Sequence, residues 1–355
     1  MRIFLTLISI LMFCAVVNVS ANEAPVRAVG KTIQPRNDVP VRLVSEEVRI
    51  NISSKEASVR CEFNLLNEGK PDTIMVGFPR GWENDFNYFY AETYGMKFPV
   101  TTLPVNPNFS EMNGQEMPWW KIFYVPFDST GQMITVINNY SIDLNFFGLS
   151  EFSDLYFKYI MKTGAYWQGK IDEAVFTVYL RQIPFDQITE ISPAGFVYEG
   201  DRIIWRFTDF EPTQDIEIFI MNDIRYERLV NAKKILKENS DNVHAHFLLG
   251  TAYFVEDVHK VGYEIYGSVK SEKEFLRVLE LDPKHLDARW YLAAIYYYRK
   301  SKEKSRKLIE EIIAENPNYI CTDKVYPRPS EPIIPWGSAK SWLKELDLMM
   351  RYKTK

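Results

Sequence analysis

The sequence predicts two folds in one chain, an antiparallel β-sandwich over residues 41–225 followed by a short α-helical solenoid over 226–321. Three observations carry this. Up to residue 225 the apolar residues recur at every second position, in about eight short runs parted by turn-forming residues, with no helical crossover between them. From Tyr226 the apolar period lengthens to that of a helix. Within the helical part the text repeats: Leu249, Gly250, Tyr253, Phe275 and Pro283 are followed by Leu292, Ala293, Tyr296, Ile309 and Pro317.

Taken in order, Met1 and Arg2 precede an apolar run from Ile3 to Val19 that ends in Val19-Ser20-Ala21. A short basic start, an apolar stretch and small residues at its end are the pattern of a secretory signal peptide, here 1–21. The expected location is therefore secreted, or periplasmic and cell-envelope, with membrane contact only through the leader if it stays uncleaved. Residues 22–40 mix charge, Pro and Gly without a period and are expected as a linker. Strands are expected over Glu47–Ile52, Ala57–Leu65, Thr73–Phe78, Trp120–Phe127, Met133–Leu144, Ala174–Leu180, Arg202–Phe207 and Asp215–Met221. Turn signals part several of them, among them Asn67-Glu68-Gly69 and Asp128-Ser129-Thr130-Gly131. Gly81–Pro118, rich in Asn, Pro, Tyr and Phe, is expected as one long functional loop.

Helices are expected over Tyr226–Glu238, Val243–Val255, Ser271–Leu281, Leu286–Tyr298 and Lys302–Glu315, with Asp282-Pro283 and Asn316-Pro317 as stops. Pro327, Pro329, Pro332 and Pro335 make 322–337 an extended connector, and 338–355 supplies a last, capping helix.

The repeated residues resemble tetratricopeptide (TPR) repeats: a Leu-Gly/Ala pair, a Tyr four residues after that Leu, an aliphatic or aromatic in the second helix, and a closing Pro. The second unit, Leu292–Pro317, has the family's length, with small Ser305 where the helices touch most closely. Leu249 and Leu292 stand 43 apart where the family uses 34, so about nine residues are inserted near 256–270. The resemblance implies a concave groove for a protein or peptide partner, formed by Phe247, Thr251 and Phe254 and then by Trp290, Ala294 and Tyr297. In the front domain, Ser45-Glu46-Glu47-Val48, Gly77-Phe78-Pro79 and Thr163–Ile171 are similar to text in exported bacterial domains of unknown function, which implies no chemistry.

Composition narrows function. Of 355 residues 46% are hydrophobic and 25% charged, as in ordinary globular proteins. Residues 22–225 hold 18 Lys and Arg against 28 Asp and Glu, a net of −10, which excludes a front domain built to neutralise phosphates; no nucleic acid is expected. Beyond the leader only Cys61 and Cys321 remain, too few for a disulfide framework, and Cys61 lies in an alternating strand pattern that suits a buried thiol. His244 and His246 sit two apart on a predicted helix and so point to different faces; no metal or cofactor is expected. GxSxG, HExxH and phosphate-loop patterns do not occur, and the chain is read as non-catalytic. The first expectation is an interaction or scaffold protein using the helical groove. The alternative is a carbohydrate-binding surface protein using sandwich aromatics, Trp167 and Trp82 foremost. The basic run Arg299, Lys300, Lys302, Lys304, Arg306 and Lys307 is read as a solvated face.

Overall fold

The structure, a computed structural model, describes residues 19–21, 23–80, 86–106, 111–112, 115–116, 119–147, 154–254, 269–321 and 338–352. It divides into two compact units, the boundary in the main chain falling between Asp223 and Ile224. Residues 1–18 of the expected leader, the greater part of the expected insertion (255–268) and the Pro-rich segment 322–337 lie outside the described residues.

The first unit is built of strands. They run β1 (Val19–Ala21), β2 (Ala24–Val29), β3 (Thr32–Pro35), β4 (Val41–Ile52), β5 (Glu56–Asn67), β6 (Asp72–Arg80), β7 (Tyr88–Thr93), β8 (Met96–Lys97), β9 (Thr101–Pro104) and β10 (Glu111–Met112). There follow β11 (Gln115–Glu116), β12 (Trp119–Phe127), β13 (Met133–Asp143), β14 (Asn145–Phe147), β15 (Asp154–Ile160), β16 (Ile171–Leu180), β17 (Ile188–Ser192), β18 (Val197–Glu199), β19 (Arg202–Phe210) and β20 (Ile216–Ile220).

All eight expected runs are strands, and they form the heart of the fold. The largest sheet has eight strands in the order β18-β19-β16-β4-β5-β13-β7-β8; two five-stranded sheets contain β3-β2-β6-β12-β9 and β1-β15-β20-β17 with β14. Among the described strands β4 pairs with β16 and β1 with β15 in parallel, while the remaining pairs of the eight-stranded sheet are antiparallel. These are open sheets packed face to face. Alternation decides which side is buried: Val48, Ile50, Cys61, Phe63, Tyr140 and Phe176 point inward from the large sheet and meet Val76, Phe78, Phe123, Phe157 and Ile218 in one core.

Two expectations are corrected here. Residues 22–40 are not a linker: β2 and β3 pair as a hairpin, β2 also pairs with β6, and Ala24, Val26 and Ile33 are buried beside Trp120 and Ile122. Short strands interrupted by Pro25 and Gly30 gave too little alternation to be recognised. Residues 81–118 are not one loop either, because β7 to β11 lie within them. β15 was missed for a different reason. Every residue from Asp154 to Ile160 is buried, so neither face is marked by exposure and polar Asp154 and Lys158 interrupt the apolar pattern.

The second unit is helical: α1 (Asp223–Glu238, whose first residue falls in the sheet unit), α2 (Val243–Phe254), α3 (Val269–Leu281), α4 (Leu286–Tyr298), α5 (Lys302–Glu315) and α6 (Ala339–Tyr352). Each lies within three residues of its expected ends. α2 packs on α3, α4 on α5, and α5 on α6. Gly250 shows why the repeat needs a small residue there. A Cβ at that position would lie 2.6 Å from the Phe275 ring. Ser271 is not the first residue of α3, which begins at Val269. It sits inside the helix, fully buried, and its Oγ donates to Gly250 O at 2.7 Å, tying the two helices together.

Candidate functional site

The inner positions of the helical repeat are occupied by the unit's own side chains. Phe247 is 9% exposed and lies face to face with His285 at 4.9 Å, with Phe275 and Tyr291 on its other sides. Phe254 is fully buried edge-on to Tyr291. Thr251 is fully buried too, its Oγ1 donating to Leu248 O and accepting from Arg228 of α1 at 3.0 Å. Trp290 is 3% exposed and meets Trp342 of α6 at 4.6 Å and Tyr319 at 5.7 Å. Ala294 is buried, and Tyr297 is half-buried against Tyr298.

The groove expected from these six residues is therefore corrected. It is a set of helix–helix seams, closed at one end by Arg225 and Arg228 of α1, which reach Ala252 O and Thr251, and at the other by Trp342 of α6. The physical reason is size. Two repeats cannot bury their apolar faces alone, so the flanking helices supply the missing cover.

The expected glycan contact at Trp167 is corrected as well. Trp167 is 3% exposed, and its Nε1 donates to the main-chain oxygen of Glu23 at 3.2 Å. Trp82 lies outside the described residues. Trp120 and Trp205 are fully buried, while Trp119 is 39% exposed.

Among the histidines, His246 Nδ1 lies 2.7 Å from Glu274, and His285 caps α4, its Nδ1 accepting from Ala288 N. Among the described residues no group of His, Cys, Asp and Glu is arranged to hold a metal ion. The basic run is drawn largely into its own surroundings: Arg299 pairs with Glu272, Arg306 with Glu310 and Asp347, and Lys304 stands over the Tyr296 ring.

An open surface with ordered aromatic rings does exist, on the outer face of the eight-stranded sheet. On β7, Phe89 and Ala91 point into the core, which sends Tyr88, Tyr90 and Glu92 outward. Tyr88 is 47% exposed and stacks with Tyr90 at 6.3 Å; Lys97 from β8 lies over the Tyr90 ring at 4.2 Å and fixes it. The ladder then sets polar groups beside the rings at fixed spacing. Tyr90 pairs with Asn139, which pairs with Arg60, which pairs with Arg49; Tyr88 pairs with Ser141, then Ser58 and Asn51. The charges on this face neutralise one another, Arg49 with Glu47 and Arg60 with Glu62. At its far side Arg181 lies over the Tyr179 ring and donates to Asn51. The alternation Tyr88, Tyr90, Glu92 was present in the sequence but fell inside the segment expected as a loop.

The helical unit has a shallow recess of 610 Å³ along α3, lined by His246, Val269, Glu272, Leu276 and Arg277 among others, with Val269 and Leu276 exposed.

No protein-family model matches the chain, and no curated protein matches its sequence. In fold it is similar to the crystal structure of a candidate nutrient-binding protein of Legionella pneumophila, with a TM-score of 0.51 and 16% identity over 76% of this chain and 99% of that one. It also aligns with the first TPR domain of Spaghetti bound to an HSP90 peptide, over 36% of this chain and 80% of that one, at 12% identity and a TM-score of 0.25. The first likeness shows a shared fold; the second is too weak to argue from.

Proposed function

We propose that the chain is an exported, non-catalytic binding protein of the cell surface or envelope, and that the outer face of its eight-stranded sheet takes up a carbohydrate. The observation that carries this is the stacked pair of exposed Tyr88 and half-buried Tyr90, held by Lys97 and edged by Asn139, Ser58 and Arg60. A sugar ring has an apolar C–H face that packs on a flat aromatic ring, and hydroxyls at its rim that need both donors and acceptors. Rigid tyrosines offer such contact area at low entropy cost. The self-neutralised Arg–Glu pairs suit a neutral ligand better than an anionic one. The leader-like pattern of 1–21 supports export, and the similar fold of a protein described as a candidate nutrient binder is in keeping with ligand binding.

Affinity electrophoresis of the full chain through gels holding neutral polysaccharides tests the reading. Retardation by at least one polysaccharide, reduced about tenfold in Tyr88→Ala/Tyr90→Ala, is expected for loss of two stacking rings. No retardation of the unaltered chain, or equal retardation of the variant, would overturn it. The second reading is a protein partner for the helical unit, and the α3 recess with its exposed Val269 and Leu276 supports it.

A further inference from the structure

We infer that a proton on Glu23 latches β2 into the sandwich, and that alkaline solution releases this strand while the rest of the sheet unit stays folded. The geometry is that of a carboxyl carried into the core immediately before a strand that pairs with β6 through two residues. Glu23 is fully buried immediately before β2; its Oε2 accepts from Asn138 Nδ2 at 3.0 Å, and its main-chain oxygen accepts from Trp167 Nε1.

The groups gathered there are polar but suit a neutral acid. Glu46 of β4, 2% exposed, repels it; beyond stand Cys61 of β5, Tyr140 of β13 and Tyr159 of β15, with the Cys61 Sγ 3.4 Å from the Tyr159 hydroxyl. The β2–β3 hairpin is held at β3 by the Ile33–Val105 bridge and by Asn106 N, which donates to Ile33 O at 2.8 Å, and at β2 by a short pairing with β6. Only Ala24 and Pro25 pair with β6, opposite Gly77 and Val76, and the rest of β2 pairs with β3. The fit at that crossing is close, since a Cβ on Gly77 would lie 2.8 Å from Val26 and 2.6 Å from Trp120. A charge arriving at Glu23 therefore acts at the start of a strand that two residues, Ala24 and Pro25, join to β6.

Burial, assisted by Glu46 and opposed by the Asn138 hydrogen bond, pushes the Glu23 carboxyl from 4.5 up to about 8. The neutral acid is thus the form the fold favours. Its contribution to stability is complete below about 4.5, falls as pH rises, and has been lost by about 8.

Hydrogen exchange of the full chain, read on peptides covering 23–29 and corrected for intrinsic rates, tests this between pH 6 and pH 9.5. Mass-mapped alkylation of Cys61 gives a second readout. In the unaltered chain, exchange at 23–29 is expected to rise at least tenfold with a midpoint near 8, and Cys61 labelling to rise more than thiol ionisation alone produces. In Glu23→Gln, which keeps the shape and an acceptor for Asn138 but cannot ionise, both excess rises should vanish. In Glu46→Gln the midpoint should fall. Absence of a rise in the unaltered chain, a rise spread over the whole sheet unit, or an equal rise in Glu23→Gln would overturn the proposal. Should Glu23→Gln fail to fold, the position and midpoint of the transition in the unaltered chain decide alone.

Discussion

Trp290→Ala separates a binding residue from a packing residue. Were the indole part of an open groove, its removal would cost binding and leave stability within about 0.5 kcal/mol, as at most exposed sites. In the structure it is 3% exposed, meets Trp342 edge-on at 4.6 Å and touches Tyr319. Truncating a buried tryptophan costs about 3–5 kcal/mol, and the aromatic pair accounts for roughly 0.5–1.5 kcal/mol of that. For a helical unit of this size such a loss lowers the thermal midpoint on the order of 10–20 °C. Helical circular dichroism of the full chain during heating measures it, and a double-mutant cycle with Trp342→Ala isolates the pair. A midpoint within 2 °C of the unaltered chain, or strictly additive single variants, would refute the packed seam.

Further consequences follow from other contacts. Gly250→Ala places a methyl 2.6 Å from the Phe275 ring and should cost about 1–3 kcal/mol by urea unfolding; combining it with Phe275→Ile, which copies the Ala293 and Ile309 of the second repeat, should recover most of the loss. Lys158 lies nearly buried with its Nζ 3.4 Å from Asp215 and 3.1 Å from Glu217, so Lys158→Met leaves two carboxylates facing without their ammonium and should cost about 3–5 kcal/mol at pH 7. Measured as unfolding free energy from pH 5 to pH 8.5, Glu23→Gln should stand progressively higher relative to the unaltered chain as pH rises, by up to about 5 kcal/mol; a constant offset would remove Glu23 from the account.

Where one face of an element is wet, its sequence was readable. β5 alternates residue by residue from Ala57 to Leu65, and α5 runs from Lys302 to Glu315 as its spacing predicts, with Ser305, Ile309 and Ile312 on its buried face. Elements buried on both sides, or too short to show a period, were not. β15 hides Asp154 and Lys158 among apolar residues because partners on other strands satisfy them: Thr189 donates to Asp154, and Asp215 and Glu217 flank Lys158. Such partners lie 35 or more residues away in sequence, so no local pattern could announce them. Glu23 is the extreme case, since a charged residue type beside Pro25 suggests solvent and its burial depends on Asn138 and Trp167.

The groove residues fail for a more general reason. A repeat motif specifies how one helical pair stacks on the next, and the residues at Phe247, Thr251 and Trp290 are inner positions in any array. Whether an inner position is a binding surface depends on how many repeats continue the curve. In a long array the hollow is wide, and few neighbours reach across it. With only two repeats, the helices before and after stand within side-chain reach of the same hollow, as Arg228 of α1 on Thr251 and Trp342 of α6 on Trp290 show. The aromatic character that suggests an anchor then fits equally well as a plug, because a large ring closes a seam as effectively as it grips a guest. Repeat number, rather than residue type, therefore decides the role of these positions. The search for a ligand moves accordingly to the sheet face, where the backbone ladder holds Tyr88 and Tyr90 outward.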